Sequence, residues 1–227
     1  MDSNYINWTQ PIQKHKNHLP HWQQPDCWQF VTWSLGDAIS LSARQKLNFE
    51  KDIWLKTHPK PWTPEIEKDY YESFEGRVQK WLDAGIGSCL LRNRNIRLQL
   101  ENNLKYGNGT QYILDAFVVM PNHVHMVLMP INDHHLADIM QGIKSSSSHQ
   151  INHAHQRKGK LWMEDYWDRM IRDTTHHMRV RRYIKRNPEK AKLRPDEYSL
   201  WEKDSGAEAK DTGPGAKDTG PGAPPPP

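Results

Sequence analysis

The clearest hydrophobic pattern lies in the middle of the chain. Residues 112–120 and 123–129 are dominated by β-branched, aromatic and large aliphatic side chains, which favour strands. Pro121 and Asn122 separate the two stretches, so the pattern predicts either two strands or one bent strand. Residues 29–35 have a similar composition and predict a further strand.

Apolar residues at helical spacing lie between the first of these strands and the other two. Residues 43–55 and 95–104 each predict a helix, and the second ends before a turn signal at residues 106–109. Between them, a further helix is predicted to open near Pro64, which lies in its first turn. The apolar face of this helix consists of Ile66, Tyr70, Phe74, Val78 and Trp81.

Two further helices are predicted in the second half of the chain. The apolar spacing over residues 136–151 predicts one of them. The other is capped by Thr174 or Thr175, continues to Asn187 and is stopped by Pro188, and a short segment around Met170 is consistent with a strand. Strands and helices do not alternate strictly, which predicts an α+β fold.

Composition excludes several classes of protein. The mean hydropathy is −0.93, and no apolar stretch approaches the roughly 20 residues that a membrane helix needs. The first residues lack the pattern of a secretory signal, and two cysteines favour a reducing compartment, so we expect a cytoplasmic protein without a membrane partner. The absence of a Cys-x-x-Cys pair and of a phosphate-binding glycine loop excludes zinc ribbons and P-loop hydrolases.

The sequence predicts three parts. Residues 1–27 form an N-terminal arm, and residues 28–204 form one domain with a helical insertion at about 47–81. From residue 205 onward, a seven-residue segment rich in glycine and proline occurs twice and is followed by four prolines. This tail lacks aromatic and large aliphatic residues, so we expect it to be disordered.

His123 and His125 form a His-Val-His triplet in a predicted strand. Residues two apart in a strand point to the same face, so both imidazoles can reach one cation. The spacing alone is weak evidence, because the chain has 13 histidines and contains a second such triplet, His153 and His155, in a helical stretch. The alternative is a pair of imidazoles on a solvated or hydrogen-bonded strand face.

Residues 179–194 form a dense basic run. The whole chain has a net charge of only +4, but this run contains eight basic residues and one acidic residue. Such a density is typical of a phosphate-binding surface, although a solvated helix face is the commoner explanation. Within the run, Tyr183 and Asn187 lie four residues apart, hence on one helix face, with Arg179 one turn earlier.

Three segments, in this order, resemble one family. Residues 120–125, 167–173 and 183–188 resemble the single-tyrosine transposases of the His-hydrophobe-His (HUH) superfamily, and within it the REP-associated tyrosine transposases. The resemblance covers about residues 28–193. It implies an antiparallel sheet with helices packed on it, like the ferredoxin-like palm of RNA-recognition domains.

The resemblance also implies roles for individual residues. It assigns His123, His125 and Asn187 as metal ligands and Tyr183 as the nucleophile. A tyrosine hydroxyl, with an unperturbed pKa of about 10, is a weak nucleophile at neutral pH. A divalent metal, Mn²⁺ or Mg²⁺, would compensate by polarising the scissile phosphate. The implied activity is metal-dependent cleavage and transfer of single-stranded or hairpin (REP-like) DNA through a 5′-phosphotyrosine intermediate.

The DNA contacts follow from the same resemblance and from the basic run. The expected DNA-binding residues are Lys144, Arg169, Arg172, Arg179, Arg182, Lys185 and Arg186. Trp162 or Trp167 is a candidate for stacking on unpaired bases. Monomer and homodimer both stay open, and so do two other functions: a non-catalytic hairpin-binding protein and a metal hydrolase that uses water.

Overall fold

The computed structural model describes residues 4–7, 9–16, 20–59 and 63–204. A five-stranded antiparallel sheet with the order β6-β3-β5-β4-β7 forms its centre, and β1 and β2 form a separate two-stranded ladder. The strands are β1 (Gln13–Lys16), β2 (Pro20–Gln23), β3 (Gln29–Ser34), β4 (Tyr112–Val119), β5 (His123–Pro130), β6 (Trp167–Met170) and β7 (Ser199–Glu202).

Helices cover both faces of this sheet. They are α1 (Leu41–Thr57), α2 (Pro64–Tyr70), α3 (Gly76–Asp83), α4 (Arg94–Tyr106), α5 (Leu136–Ala154) and α6 (Thr174–Lys190). A π-helical turn, Tyr71–Glu75, joins α2 to α3, and a 3₁₀ turn, Leu90–Arg92, precedes α4. The predicted α+β class is confirmed, and residues 112–130 form two strands and not one.

The central strand β5 is buried along its whole length. Val124, Met126 and Leu128 belong to the core that α4 and α5 cover, whereas Val127 belongs to a second core beneath α6. Because side chains alternate along a strand, His123 and His125 lie on the α6 face. The sheet therefore separates the larger apolar core from the face that carries the histidine pair.

Helix α6 differs at both ends from its prediction. Asp173, and not Thr174 or Thr175, caps its start, because the Asp173 side chain accepts a hydrogen bond from the His176 backbone N–H at 2.7 Å. Pro188 lies inside the helix, which continues to Lys190. A proline removes only one backbone donor, and near the end of a helix the chain tolerates this loss.

Two elements were not predicted from the sequence. Strand β7 is only four residues long and pairs with β4, where Trp201 stacks on Phe117 with 5.7 Å between ring centroids. The π-helical turn interrupts the helix predicted from Pro64 onward. From Ile66 to Val78 the apolar residues of that helix recur every four positions. This spacing drifts around a regular α-helix, and the wider π turn offsets part of the drift.

The insertion predicted at about 47–81 corresponds to α1, α2, the π turn and α3. Glu75 in the π turn forms an ion pair with Arg169 on the edge strand β6. The Arg169 guanidinium also lies 4.9 Å from the centroid of the Tyr71 ring. These contacts attach the insertion to the β6 edge of the sheet.

The two ends of the chain differ in what the structure describes. The tail from residue 205 onward lies outside the described residues. In the predicted N-terminal arm, Gln23 accepts a hydrogen bond from the Leu136 backbone N–H at 2.8 Å and so satisfies a donor at the start of α5.

Among the described helices, none combines the length and the hydropathy required to cross a bilayer.

Two leucines of α4 offer a matched test of the core. Leu100 is fully buried, whereas Leu98 is 45% exposed. We expect Leu100→Ala to lower the free energy of unfolding by about 2–5 kcal/mol, because the substitution leaves a cavity. Leu98→Ala should cost roughly 0.5 kcal/mol or less. Urea titration of both variants checks this, and equal losses would contradict the assigned orientation of α4.

Candidate functional site

The two histidines of β5 converge on one point. Their Nε2 atoms are 3.1 Å apart, and both side chains are fully buried. A pair of nitrogen atoms at this distance in a buried place can share one proton or bind one cation. The same-face placement that the sequence predicted is therefore present.

Asn122 fixes the orientation of the first imidazole. Its Nδ2 donates to the Ile86 carbonyl at 3.0 Å, so its Oδ1 is the atom that faces His123 Nδ1 at 2.7 Å. An amide oxygen only accepts hydrogen bonds, so His123 Nδ1 must carry the hydrogen. His123 Nε2 is left with a lone pair directed into the site, as a metal ligand requires.

Thr32 holds the second imidazole. It lies opposite His125 on β3, and its Oγ1 is 2.7 Å from His125 Nδ1. A hydroxyl can either accept from an Nδ1–H or donate to a bare Nδ1, so His125 can present a bare Nε2 to a cation. Phe30 stacks against the same imidazole with 5.5 Å between ring centroids.

Burial keeps both imidazoles neutral. It lowers the pKa of His123 to about 3. Burial, together with the neighbouring His123, lowers the pKa of His125 well below its usual value. Neutral imidazole is the form that binds metals, so both rings are in the protonation state that a ligand needs at neutral pH.

Helix α6 brings the predicted tyrosine and asparagine to this pair. Tyr183 Oη is 3.5 Å from His125 Nε2, and Asn187 Nδ2 is 3.2 Å from the same nitrogen. Asn187 is 1% exposed, and its Oδ1 has no hydrogen-bond partner. The two ends of an amide have nearly the same shape, so a half-turn of the side chain would direct this oxygen at the histidines.

The donor set fits a divalent cation. The separations of 3.1 Å and 3.2 Å match the roughly 3 Å expected between adjacent ligands with bonds of about 2.1 Å. The described residues hold no metal-binding cluster of three or more histidine, cysteine, aspartate or glutamate side chains. Asp83, with its Oδ1 4.0 Å from His123 Nε2, completes no such cluster with the pair as it stands, so the close third donor is the Asn187 carboxamide with its unpaired buried oxygen.

Tyr183 is enclosed beside the pair. It is 6% exposed and packs edge-on against Phe30, with 5.9 Å between ring centroids. The Lys190 ammonium lies 5.3 Å from the centre of the phenol ring. A cation over the ring favours the electron-rich form of the phenol, so Lys190 adds positive charge where a phenolate would form.

The basic residues of α6 divide into two sets. Arg179, Tyr183, Arg186 and Lys190 recur at helical spacing along one side of the helix, and we call the three cations the basic stripe. Arg179 and Arg186 are exposed. A negatively charged strand laid along this side would therefore pass Tyr183.

The second set lies on the side of α6 that faces β4 and β7. Arg181 contacts Asp115 at 3.1 Å and Glu202 at 3.7 Å, and Lys185 contacts Glu202 at 3.7 Å. These contacts link α6 to β4 and β7. Lys185, which the sequence predicted to bind DNA, thus lies on the ion-paired side of the helix, whereas Arg182 is exposed.

The remaining predicted DNA-binding residues are spread over the molecule. Arg169 is bound to Glu75 at the base of the insertion, and Arg172 is half-buried just before α6. Lys144 lies on α5, across the sheet from the histidines, and donates to the Glu164 carbonyl at 2.6 Å. The structure does not bring Lys144 together with the histidine site.

The two candidate stacking tryptophans differ in their surroundings. Trp162 is 5% exposed, and its indole N–H donates to Ser147 Oγ at 2.9 Å within the core. Trp167 is partly exposed at the β6 edge, where it lines a small cavity together with Thr32 and Gln79. Of the two, only Trp167 lies next to a side chain that contacts the histidines.

Five residues near the site were missed in the sequence. Asn122 and Thr32 orient the imidazoles, Gln79 lies with its Nε2 3.5 Å from His125 Nε2, and Asp83 Oδ1 lies 4.0 Å from His123 Nε2. Lys190 is the fifth. Pairing of β3 with β5 places Thr32 opposite His125, so the two predicted strands could have indicated Thr32. The hydrophobic pattern did not indicate where α3 would pack, so Gln79 and Asp83 could not be found from it.

Comparison with known proteins supports the resemblance. Residues 93–187, which include His123, His125, Tyr183 and Asn187, match the model of the family described as IS200-like transposases. At the level of this family, the resemblance to tyrosine transposases is confirmed. No curated protein matches the chain by sequence.

Two solved structures are similar to this chain. One is a REP-associated tyrosine transposase bound to a REP hairpin, with 16% identity, a TM-score of 0.42, and coverage of 77% of this chain and 74% of that chain. The other, described as a candidate transposase, comes from Deinococcus radiodurans. It has 16% identity, a TM-score of 0.28, and coverage of 70% of this chain and 89% of that chain.

The state of His123 can be measured in the metal-free protein. We expect its Nδ1–H tautomer, because Asn122 accepts from Nδ1, and a neutral ring at pH 5, because burial lowers its pKa to about 3. Two-dimensional ¹⁵N–¹H NMR of the imidazole nitrogens checks both, with His123→Gln to assign the signals. An Nε2–H tautomer, or protonation near pH 6.5, would contradict the geometry.

Proposed function

We propose that this protein, whose residues 93–187 match the IS200-like transposase family, is a metal-dependent endonuclease and strand transferase. Its substrate would be single-stranded or hairpin DNA of the REP type. The observation that carries the proposal is the meeting of Tyr183 Oη and the Asn187 amide at one nitrogen of the buried histidine pair, at 3.5 Å and 3.2 Å. Nucleophile and cation site would thus be adjacent.

The cation would be held by His123, His125 and Asn187. Mn²⁺ and Mg²⁺ suit a phosphate substrate, and the two imidazoles favour Mn²⁺. When bound, the ion would withdraw electron density from the scissile phosphate and neutralise charge that develops on it. Asn122 and Thr32 contribute by holding the two rings in the orientation that directs Nε2 into the site.

Tyr183 would carry the covalent step. Its oxygen forms a bond to phosphorus while the bond between phosphorus and the 3′ oxygen breaks. Tyr183 loses its proton, and the departing 3′ oxygen gains one. The products are a 5′-phosphotyrosine and a free 3′-hydroxyl, and attack by a second 3′-hydroxyl reverses the step and joins strands without ATP.

The surroundings of Tyr183 suit this role. The Lys190 ammonium lies 5.3 Å from the ring centre and would favour loss of the phenolic proton. Phe30 holds the ring edge-on and limits its rotation. Because Tyr183 is 6% exposed, the scissile phosphate must enter a narrow opening, which a single strand does more easily than a duplex.

The basic stripe would position the DNA backbone. Arg179 and Arg186 flank Tyr183 on the same side of α6 and are exposed, so their charges are accessible to phosphates. Trp167, near the Thr32 side of the site, would stack on an unpaired base. We propose residues 28–204 as the catalytic domain.

The nucleophile is tested by Tyr183→Phe. We expect cleavage of hairpin DNA in Mn²⁺ to fall by roughly three orders of magnitude or more, as occurs when a covalent nucleophile is removed. Binding should persist, because the hydroxyl contributes little to the basic surface. Cleavage is measured on labelled hairpin DNA, and the covalent adduct is trapped on a denaturing gel.

Tyr106→Phe provides the control, because Tyr106 is 87% exposed and remote from the histidines. It should leave both cleavage and adduct unchanged. Equal cleavage by the Tyr183→Phe variant would reject the nucleophile. Cleavage without any adduct in the wild type would indicate a hydrolase that uses water, and binding without cleavage would indicate a hairpin-binding protein.

The basic stripe is tested by the double variant Arg179→Ala, Arg186→Ala. Each lost phosphate contact on a single strand reduces the slope of log K against log salt by about 0.7, so we expect a reduction of roughly 1.4. Affinity is measured by fluorescence anisotropy at several salt concentrations. The control is Lys105→Ala on α4, and an equal effect of this variant would contradict the assignment.

A further inference from the structure

The insertion between β3 and α4 ends beside the histidine pair. Its last helix, α3, spans Gly76–Asp83. Gln79 and Asp83 are four residues apart, hence on one side of this helix, and both face the imidazoles. The segment that is additional to the sheet thus supplies two polar side chains to the site.

The contacts form a chain from the helix to the histidines. Gln79 Nε2 donates to Asp83 Oδ1 at 2.6 Å and lies 3.5 Å from His125 Nε2. Asp83 Oδ1 lies 4.0 Å from His123 Nε2, and the Asp83 side chain is 33% exposed. Gln79 therefore holds the carboxylate in place at the open side of the buried pair.

The carboxylate faces an atom with which it cannot pair. Asn122 fixes the hydrogen of His123 on Nδ1, so His123 Nε2 carries a lone pair. Asp83 Oδ1 is an acceptor as well, and two acceptors 4.0 Å apart form no hydrogen bond. A cation between Asp83 Oδ1 and His123 Nε2 would be attracted to both atoms, so it would replace their mutual repulsion with two favourable contacts.

The placement of α3 does not follow from Asp83 itself. The apolar residues Phe74 and Val78 are buried in the main core and fix the helix against the sheet. The ion pair between Glu75 and Arg169 fixes the preceding π turn at the sheet edge. A π turn advances the chain by an extra residue and is frequent at functional sites, and here it sets the direction in which Gln79 and Asp83 point.

We propose that Asp83 becomes an additional, anionic ligand of the cation that His123, His125 and Asn187 would bind, and that Gln79 positions it. Asp83 Oδ1 lies 4.0 Å from His123 Nε2 and completes no cluster of three with the histidines as they stand, so the carboxylate would have to move towards the ion. This inference rests on the proposed function. Two imidazoles and a carboxamide are all neutral, so without Asp83 the site would offer a divalent ion no negative charge. A carboxylate supplies the hard oxygen donor that Mn²⁺ and Mg²⁺ prefer.

The test is a direct measurement of Mn²⁺ affinity without DNA. Free Mn²⁺ is followed by its electron paramagnetic resonance signal in titrations of the wild type, Asp83→Asn, Asp52→Asn and His123→Ala. Asp83→Asn retains an oxygen that can accept from Gln79 but removes the charge. Asp52 is an exposed aspartate on α1 of the same insertion and controls for net charge.

We expect Asp83→Asn to weaken Mn²⁺ binding by about tenfold to a hundredfold, and Asp83→Glu to recover part of the loss. Asp52→Asn should bind as the wild type does, and His123→Ala should lose this site. Thermal unfolding of metal-free Asp83→Asn should match the wild type, so that a loss of affinity cannot be ascribed to a loss of fold.

The outcomes separate this inference from the proposed function. If His123→Ala loses the ion while Asp83→Asn binds as tightly as the wild type, the role of Asp83 is rejected and the histidine site stands. An equal loss in Asp52→Asn also rejects it, because the effect would then be one of net charge. If the wild type binds no Mn²⁺ at the histidines, both proposals fail.

Discussion

Two imidazole nitrogens held 3.1 Å apart away from water are the constraint on which the site depends. Such a pair is stable only when the other ring nitrogens are fixed and when a proton or a cation occupies the space between the two atoms. Asn122 and Thr32 provide the first condition from the loop before β5 and from the neighbouring strand β3. A cation between the two nitrogens would account for the amide of Asn187, the carboxylate of Asp83 and the phenol of Tyr183, which all lie next to the pair.

The sheet makes this arrangement possible. Alternation along β5 buries Val124 and Met126 in the core beneath α4 and α5, and this burial fixes which face the histidines occupy. Helix α6 packs on that face through Val180 and Ile184, which places Tyr183 and Asn187 against the pair. The apolar contacts that stabilise the fold thus also determine the position of each polar group in the site.

Much of this was predictable from the sequence because the information is local. The β-branched, aromatic and aliphatic composition of three segments predicted β3, β4 and β5, and the four-residue spacing of Tyr183 and Asn187 placed them on one helix face. The prediction that Pro188 ends α6 was wrong, because the loss of one backbone donor is tolerated near the end of a helix. The short strand β7 lacks a pattern of its own and depends on its pairing with β4.

What could not be predicted depends on packing between distant segments. Gln79 and Asp83 reach the histidines because Phe74 and Val78 pack in the core and because the π turn is joined to Arg169 through Glu75. Likewise, the basic run showed a high charge density, but only the positions of Asp115 and Glu202 reveal that Arg181 and Lys185 form ion pairs with carboxylates of the sheet. The number of basic residues in the run therefore overstates the positive charge that is available to a phosphate.

We propose that one cation binds where the two imidazoles meet. Pulsed electron paramagnetic resonance of Mn²⁺ bound to protein with ¹⁵N-labelled histidine tests it most directly, because the couplings report which nitrogens are ligands. We expect two directly coordinated imidazole nitrogens, which His123→Ala reduces to one or none. A bound Mn²⁺ without nitrogen coupling would place the ion elsewhere and rule out the two imidazoles as its ligands.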